Sequence, residues 1–194
     1  SALPLTREYR VLNLDGDQER VISLSDMRRM LPPQVHLLSG PGCAATTCPE
    51  ADIYQAIRLA TGHPVTLLAA DNLMRLPLNR VAHGPRTLQQ AQLNGADVRG
   101  VSVPVEAVLA AEAEPGRQMI YFVAGFETLL APLAGAVIDG LPPNLSVLLC
   151  GRRVEPLVER HLFDVATGTD ALILPGHRCA LTGTEEWHRL AADH

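Results

Sequence analysis

Lysine is absent from this 194-residue sequence, and all 16 Lys+Arg residues are arginine. Schiff-base catalysis and a phosphate-gripping P-loop lysine are thereby excluded. Three Phe, three Tyr and one Trp are too few for an aromatic stacking surface, and 16 cations against 21 Asp+Glu give a formal charge of −5, so the basic footprint of a nucleic-acid binder is missing too. Nucleic acid is not an expected partner. No apolar run reaches the roughly 18 residues of a spanning helix, and the opening SALPLTREYR has no signal-peptide core. The expectation is a soluble, cytoplasmic protein with no membrane partner. No G-x-S-x-G, H-E-x-x-H or paired C-x-x-C pattern occurs, which leaves hydrolase and zinc-finger readings unsupported.

What is present is apolar and finely punctuated. Hydrophobic residues make up 47% and charged ones 19%, and short Val, Ile and Leu runs end in Gly, Pro, Asp or Cys before helix-like stretches. The pattern predicts strands over 10–14, 35–39, 65–69, 98–103, 119–124, 146–149 and 171–174. Helices are predicted over 24–30, 49–60, 87–94, 104–113, 128–140 and 154–161. Strands with little alternation belong in parallel sheets covered on both faces, so the fold class is α/β. Residues 76–86, rich in Pro and Gly, interrupt the periodicity. They are the expected crossing between a first lobe over 1–78, with 170–194 as its candidate completion, and a second over 79–169.

In open parallel sheets ligands collect outside the carboxyl ends of the strands. Most of the unusual residues fall there. Asp15 follows the first predicted strand, Gly40-Pro41-Gly42-Cys43 the second, Asp71 the third, Gly125-Phe126-Glu127-Thr128 the fifth, Cys150 the sixth and Pro175-Gly176-His177 the seventh. Residues 40–45 fit G-x-G-x-x-A, which reads either as an anion or nucleotide site at a helix start or as glycines serving a tight turn. A thiol at Cys43 gains thiolate character from a helix N-terminus, as a nucleophile or soft-metal ligand. Cys48 and Cys179 read first as small buried residues, with ligation as the alternative. His177 with Cys179 forms an H-x-C pair that could complete a Cys-plus-His set for iron or zinc with Cys43. Glu127, at the end of a buried strand, must be solvated, paired or bound; its plainer role, with Thr128, is to cap the next helix. The pairs Arg28-Arg29 and Arg152-Arg153 read as solvated faces.

Taken together, Ser39-Gly40-Pro41-Gly42-Cys43, Met74-Arg75-Leu76-Pro77, Gly95-Ala96-Asp97-Val98-Arg99, Gly125-Phe126-Glu127-Thr128 and Pro175-Gly176-His177 resemble the NiFe-hydrogenase maturation family HypD over nearly the whole chain. The resemblance implies two Rossmann-like lobes with mainly parallel sheets, followed by an iron–sulfur segment. It also implies work with the small partner HypC, assembling an iron that carries cyanide and carbonyl ligands, the cyanide coming from HypE and HypF. The family's working thiols lie in a Val-Cys-Gly-x-His-Thr turn and a Gly-Pro-Gly-Cys-Pro-x-Cys turn. Here the first cysteine falls on Asp15 and its histidine on Gln18, while in the second turn Cys43 matches and Thr46 stands where the next cysteine belongs, with Cys48 two residues further. Cys150 matches a cysteine after the sixth strand, but Arg152 replaces the histidine expected two residues on. The four-cysteine cluster segment has no counterpart, so no iron–sulfur cluster is expected in this chain. An Asp at a thiol position forms no disulfide, which excludes thiol redox through that turn.

The leading expectation is a HypD-like scaffold that binds a HypC-like chaperone or another maturation protein. It would hold iron, or zinc, between the lobes with Cys43, Cys48, Asp15 and His177 as ligand candidates. Gly40, Gly42, Arg75 and Thr128 are the cofactor-binding candidates and Cys43 and Glu127 the reactive ones. The alternatives are a thiol-dependent enzyme using Cys43 and a nucleotide or anion module at residues 40–45.

Overall fold

A computed structural model describes residues 5–42, 47–79, 83–163 and 168–193. Its contacts divide the chain into two units, Ser1–Thr46 with Arg153–His194, and Thr47–Arg152. Both are α/β, and every strand pairing in both sheets is parallel. Among the described residues no helix is long and apolar enough to cross a membrane.

The first unit holds a three-stranded sheet of order β2-β1-β7, made of β1 (Tyr9–Asn13), β2 (Val35–Ser39) and β7 (Ala171–Ile173). Its helices are α1 (Gly16–Leu24) and α2 (Met27–Met30) between β1 and β2, α8 (Val154–Phe163) before β7, and α9 (Gly176–Thr182) and α10 (Glu185–Asp193) after it. Leu12 and Leu14 are buried, as are Ile22 on α1, Val158 on α8 and Trp187 and Leu190 on α10. The spacing of Trp187 and Leu190 puts both on one face of a helix whose other residues are mostly charged or small.

The second unit holds a four-stranded sheet of order β4-β3-β5-β6, made of β3 (Thr66–Ala69), β4 (Val98–Gly100), β5 (Met119–Gly125) and β6 (Leu145–Gly151). Helices α3 (Glu50–Gly62), α4 (Asp71–Met74), α5 (Leu88–Leu93), α6 (Pro104–Ala113) and α7 (Glu127–Asp139) supply the crossovers. The central strands β3 and β5 are buried almost throughout, as a parallel sheet covered on both faces requires. The core joins Leu68, Met119, Tyr121 and Val123 to Ala107 and Ala111 of α6 and Leu133 of α7. The two alanines, one helical turn apart, let α6 approach the sheet closely.

All seven predicted strands are present, within a few residues of the bounds read from the sequence. Two differences bear on function. Residues 71–74, 176–182 and 185–193 are helical where none was expected, and the predicted helix over 24–30 is replaced by α1 and α2. Residues 47–78 group with the second sheet, because β3 pairs with both β4 and β5. The described ends of the stretch read as a crossing are tied to each other: the Leu78 N–H donates to the Arg86 carbonyl at 2.8 Å, and the Arg86 guanidinium returns two bonds to the Leu78 carbonyl at 3.0 and 2.8 Å.

Candidate functional site

In the first unit, Asp15 leaves the carboxyl end of β1 and is only 6% exposed. One carboxylate oxygen caps α1, accepting from the backbone N–H groups of Asp17 at 2.9 Å and Gln18 at 3.1 Å. The other faces Nδ1 of His177 at 3.6 Å, His177 standing in the first turn of α9 just beyond β7. The sequence therefore brings these two predicted ligands together, one from each of two paired strands. Around them Asn13 donates to the Asp15 carbonyl and to Glu19, and Glu19 accepts from Arg28 at 2.6 Å and Ser39 at 3.0 Å. Burial pushes the Glu19 carboxylate up, but the bonds from Arg28, Asn13 and Ser39 outweigh it and hold Glu19 below its usual range. Arg28 is thus a tie between α1, α2 and β2 rather than the solvated face expected of it.

Gly40 and Gly42 both have backbone reasons to be glycine. The Gly40 N–H donates to the Asn13 carbonyl at 2.8 Å, and a Cβ there would collide with that same oxygen. Gly42 has φ +80°, in the left-handed region. Cys43 lies outside the described residues.

In the second unit the carboxyl ends of β3, β5 and β6 bring a different set to one edge. Arg75 is exposed at the end of α4, the helix that follows β3. Glu127 and Thr128, both half-buried, open α7 directly after β5, placing an acid where the helix dipole favours it. Phe126, not Glu127 or Thr128, occupies the N-cap position. Gly125 and Gly151 are paired in register, and side chains at either would strike Leu129 or Leu130 of α7. Bare backbone at this point lets α7 lie against the sheet end.

One residue earlier in the register, Cys150 sits opposite Ala124. Its sulfur lies 3.4 Å from Sγ of Cys48, two residues ahead of α3. Cys150 is 2% exposed and Cys48 half-buried, and both are free thiols. Burial pushes both thiols up; Asp52, in the first turn of α3, and Cys48 raise Cys150 further, while the bond to Cys150 partly offsets the rise at Cys48. Both therefore stay protonated at neutral pH. Sequence reasoning did not pair them, since 102 residues separate them and no spacing rule reaches that far. The available signal was the strand-end position of Cys150. Cys179, on α9, is a half-buried free thiol.

Asp97 and Arg99, which carry part of the family resemblance, belong to the opposite end of this sheet. Asp97 accepts from Thr66 at 2.6 Å, Arg99 at 3.0 and 3.1 Å and Arg117 at 3.0 Å, and Arg99 and Arg117 also pair with Glu114. Hydrogen bonding from Arg99 is the main reason that both carboxylates titrate below their usual range. A cavity of about 510 Å³ beside this network, lined by His63, Asn94, Asp97 and Arg117, is likewise remote from the strand tips. Among the described residues, no three His, Cys, Asp or Glu side chains are grouped so as to hold a metal ion.

The HypD family model, described as the hydrogenase formation hypA family, matches residues 2–194. The chain belongs to the HypD family. It is similar to hydrogenase maturation factor HypD2 of Bradyrhizobium diazoefficiens, 36% identical over 128 residues that cover 66% of this chain and 33% of the relative. It is also similar to the maturation factor HypD of Rhizobium leguminosarum bv. viciae, 30% identical over 198 residues, or 96% of this chain and 50% of the relative. The HypD of Escherichia coli K12 is 27% identical over 190 residues, again 96% of this chain and 50% of the relative. The chain spans about half the length of most of the HypD proteins it matches. Of the segments that carry the HypD resemblance, those around Gly40, Arg75, Glu127 and His177 lie at the carboxyl ends of their own sheets, and the one around Asp97 fastens an amino end.

Proposed function

We propose that this chain is a partner-binding scaffold in NiFe-hydrogenase maturation, docking a HypC-like small protein on the strand tips and handling iron as cargo. The family match across residues 2–194 carries this reading. It is supported by the parallel sheets, which hold polar tip residues at fixed positions as a docking surface needs. The match does not favour a nucleotide module at residues 40–45 or turnover at Cys43.

The described donors form two pairs, Asp15 with His177 and Cys48 with Cys150, and one Asp15 oxygen is already spent on capping α1. Neither pair fits a resident metal site by itself, so no chemical step is assigned to a metal held by these side chains. The thiol to test for iron cargo is Cys43. Calorimetric titration of the chain with a HypC-like protein should give saturable binding, and the anaerobic complex should take up Fe(II), with uptake weakened in Cys43→Ser. A flat titration at about 100 μM partner, where even weak specific complexes register, would overturn the scaffold reading. Partner binding without iron uptake would end only the cargo part.

A further inference from the structure

We propose that Cys48 and Cys150 form a dithiol–disulfide couple, a redox-modification site in the second unit that a small-molecule disulfide of the glutathione class oxidises. The proposal stands on geometry. Two sulfurs at 3.4 Å are in van der Waals contact, and a disulfide requires about 2.05 Å, so the side chains have little more than an ångström to close. Each sulfur is carried at the edge of a regular element, Cys150 on β6 and Cys48 just before α3, so the approach is held by the fold rather than met by chance. Cys48 stands two residues beyond the second cysteine turn of the family and Cys150 in neither turn, so the pair itself is not one of those turns.

The half-buried Cys48 is the accessible member and acts first. Its thiolate attacks one sulfur of the small disulfide, a mixed disulfide forms, and the first thiol leaves with a proton. Deprotonated Cys150 then attacks Sγ of Cys48, the second small thiol departs, and Cys48–Cys150 is closed. Two electrons pass from the protein dithiol to the small disulfide, whose S–S bond is replaced by that of the protein. The product ties the start of α3 to the carboxyl end of β6, closing a loop that spans nearly the whole unit. Asp52 is among the neighbours that push the Cys150 thiol up, so its removal should ease deprotonation of Cys150. Because both thiols are protonated at neutral pH, closure accelerates with alkalinity, up to about tenfold per pH unit while the thiols remain below their titration range.

The test uses the full chain incubated with oxidised glutathione, then alkylated and digested with trypsin. With arginine as the sole cleavage residue, Cys43 and Cys48 fall on one peptide (30–58) and Cys150 on another (118–152). Mapping is therefore done in both the wild type and Cys43→Ser, which keeps Cys48 as the single thiol of its peptide. The expected result is a mass loss of about 2 Da, protection of two thiols from alkylation, and a linked 30–58/118–152 species in both proteins. Cys150→Ser should stop at a glutathione adduct on Cys48, and Asp52→Asn should close the bridge faster than wild type at the same pH. If the Cys150 variant fails to fold, the wild-type map alone decides. Alkylation of both Cys48 and Cys150, or separate adducts on them without a link, would overturn the couple.

Discussion

A methyl group added at Gly40 has no room, because the oxygen it would strike is the Asn13 carbonyl and Cα of Leu14 stands 3.1 Å away. Both are backbone of β1 and its end, which cannot swing aside as a side chain would. Gly40→Ala should therefore destabilise the protein by roughly 2–3 kcal/mol, as steric strain against fixed backbone does. Gly42→Ala, at a left-handed backbone position with φ +80°, should lose about 1 kcal/mol. Urea unfolding of both variants checks this, and equal, negligible losses would return the glycines to a ligand-binding role. The same G-x-G pattern read from sequence was ambiguous between these roles, since the deciding contact comes from a strand 27 positions earlier. Asp15 shows the opposite case: an Asp before Gly-Asp-Gln-Glu is a legible helix cap, yet its strand-end position drew attention to ligation first. Arg178 was illegible altogether. It is 2% exposed, paired with Glu186 and stacked 4.8 Å from the Trp187 ring, and nothing in its local sequence marks it as buried.

At the level of elements, strand existence was written in the apolar runs, while helix boundaries depended on contacts the runs do not encode. The four-residue α4 and the seven-residue α9 are too short to announce themselves by periodicity, whereas α10 carries a helical spacing at Trp187 and Leu190 that the reading of the apolar runs passed over. The Gly-Ala-Asp-Val-Arg segment illustrates what a motif alone leaves open. It singled out Asp97 and Arg99, but only the strand order reveals that they fasten the amino ends of β3 and β4 to the turn carrying Glu114 and Arg117. Asp97 and Glu114 have folded-state titration ranges below their ordinary values of 3.8 and 4.5. Their stabilisation is complete above those values and is lost as the pH falls through the lower folded ones. Acid unfolding of the wild type should thus steepen below about pH 4, and Asp97→Asn should flatten that limb. At pH 7 the substitution should cost about 1–2 kcal/mol, the bonds to Thr66, Arg99 and Arg117 being partly solvated. A pH-independent difference between the two proteins would show that the network is not electrostatic in origin.

For the whole molecule, the decisive fact is that one unit is continuous in sequence and the other is not. Residues 47–152 contain all four strands of the β4-β3-β5-β6 sheet, the helices that cover it and the apolar cluster beneath them. Among the described residues, no strand of that sheet comes from elsewhere in the chain. The first unit is built differently, since β1 sits between β2 and β7, and 131 positions lie between Ser39 and Ala171. The Leu14 N–H donates to Ile173, and Asp170 bonds both to the backbone of Arg10 and to the side chain of Arg7. A central parallel strand deprived of one neighbour exposes a row of unpaired backbone groups and half of its apolar face. Expressed alone, residues 47–152 should therefore give a dispersed amide spectrum and a single cooperative thermal transition. A chain ending at residue 152 should keep the signals of that unit and lose those of residues 5–42 to random-coil positions. If the shortened chain instead preserved native shifts at Leu12, Asn13 and Leu14, β1 would not depend on β7, and the division of the molecule would have to be redrawn.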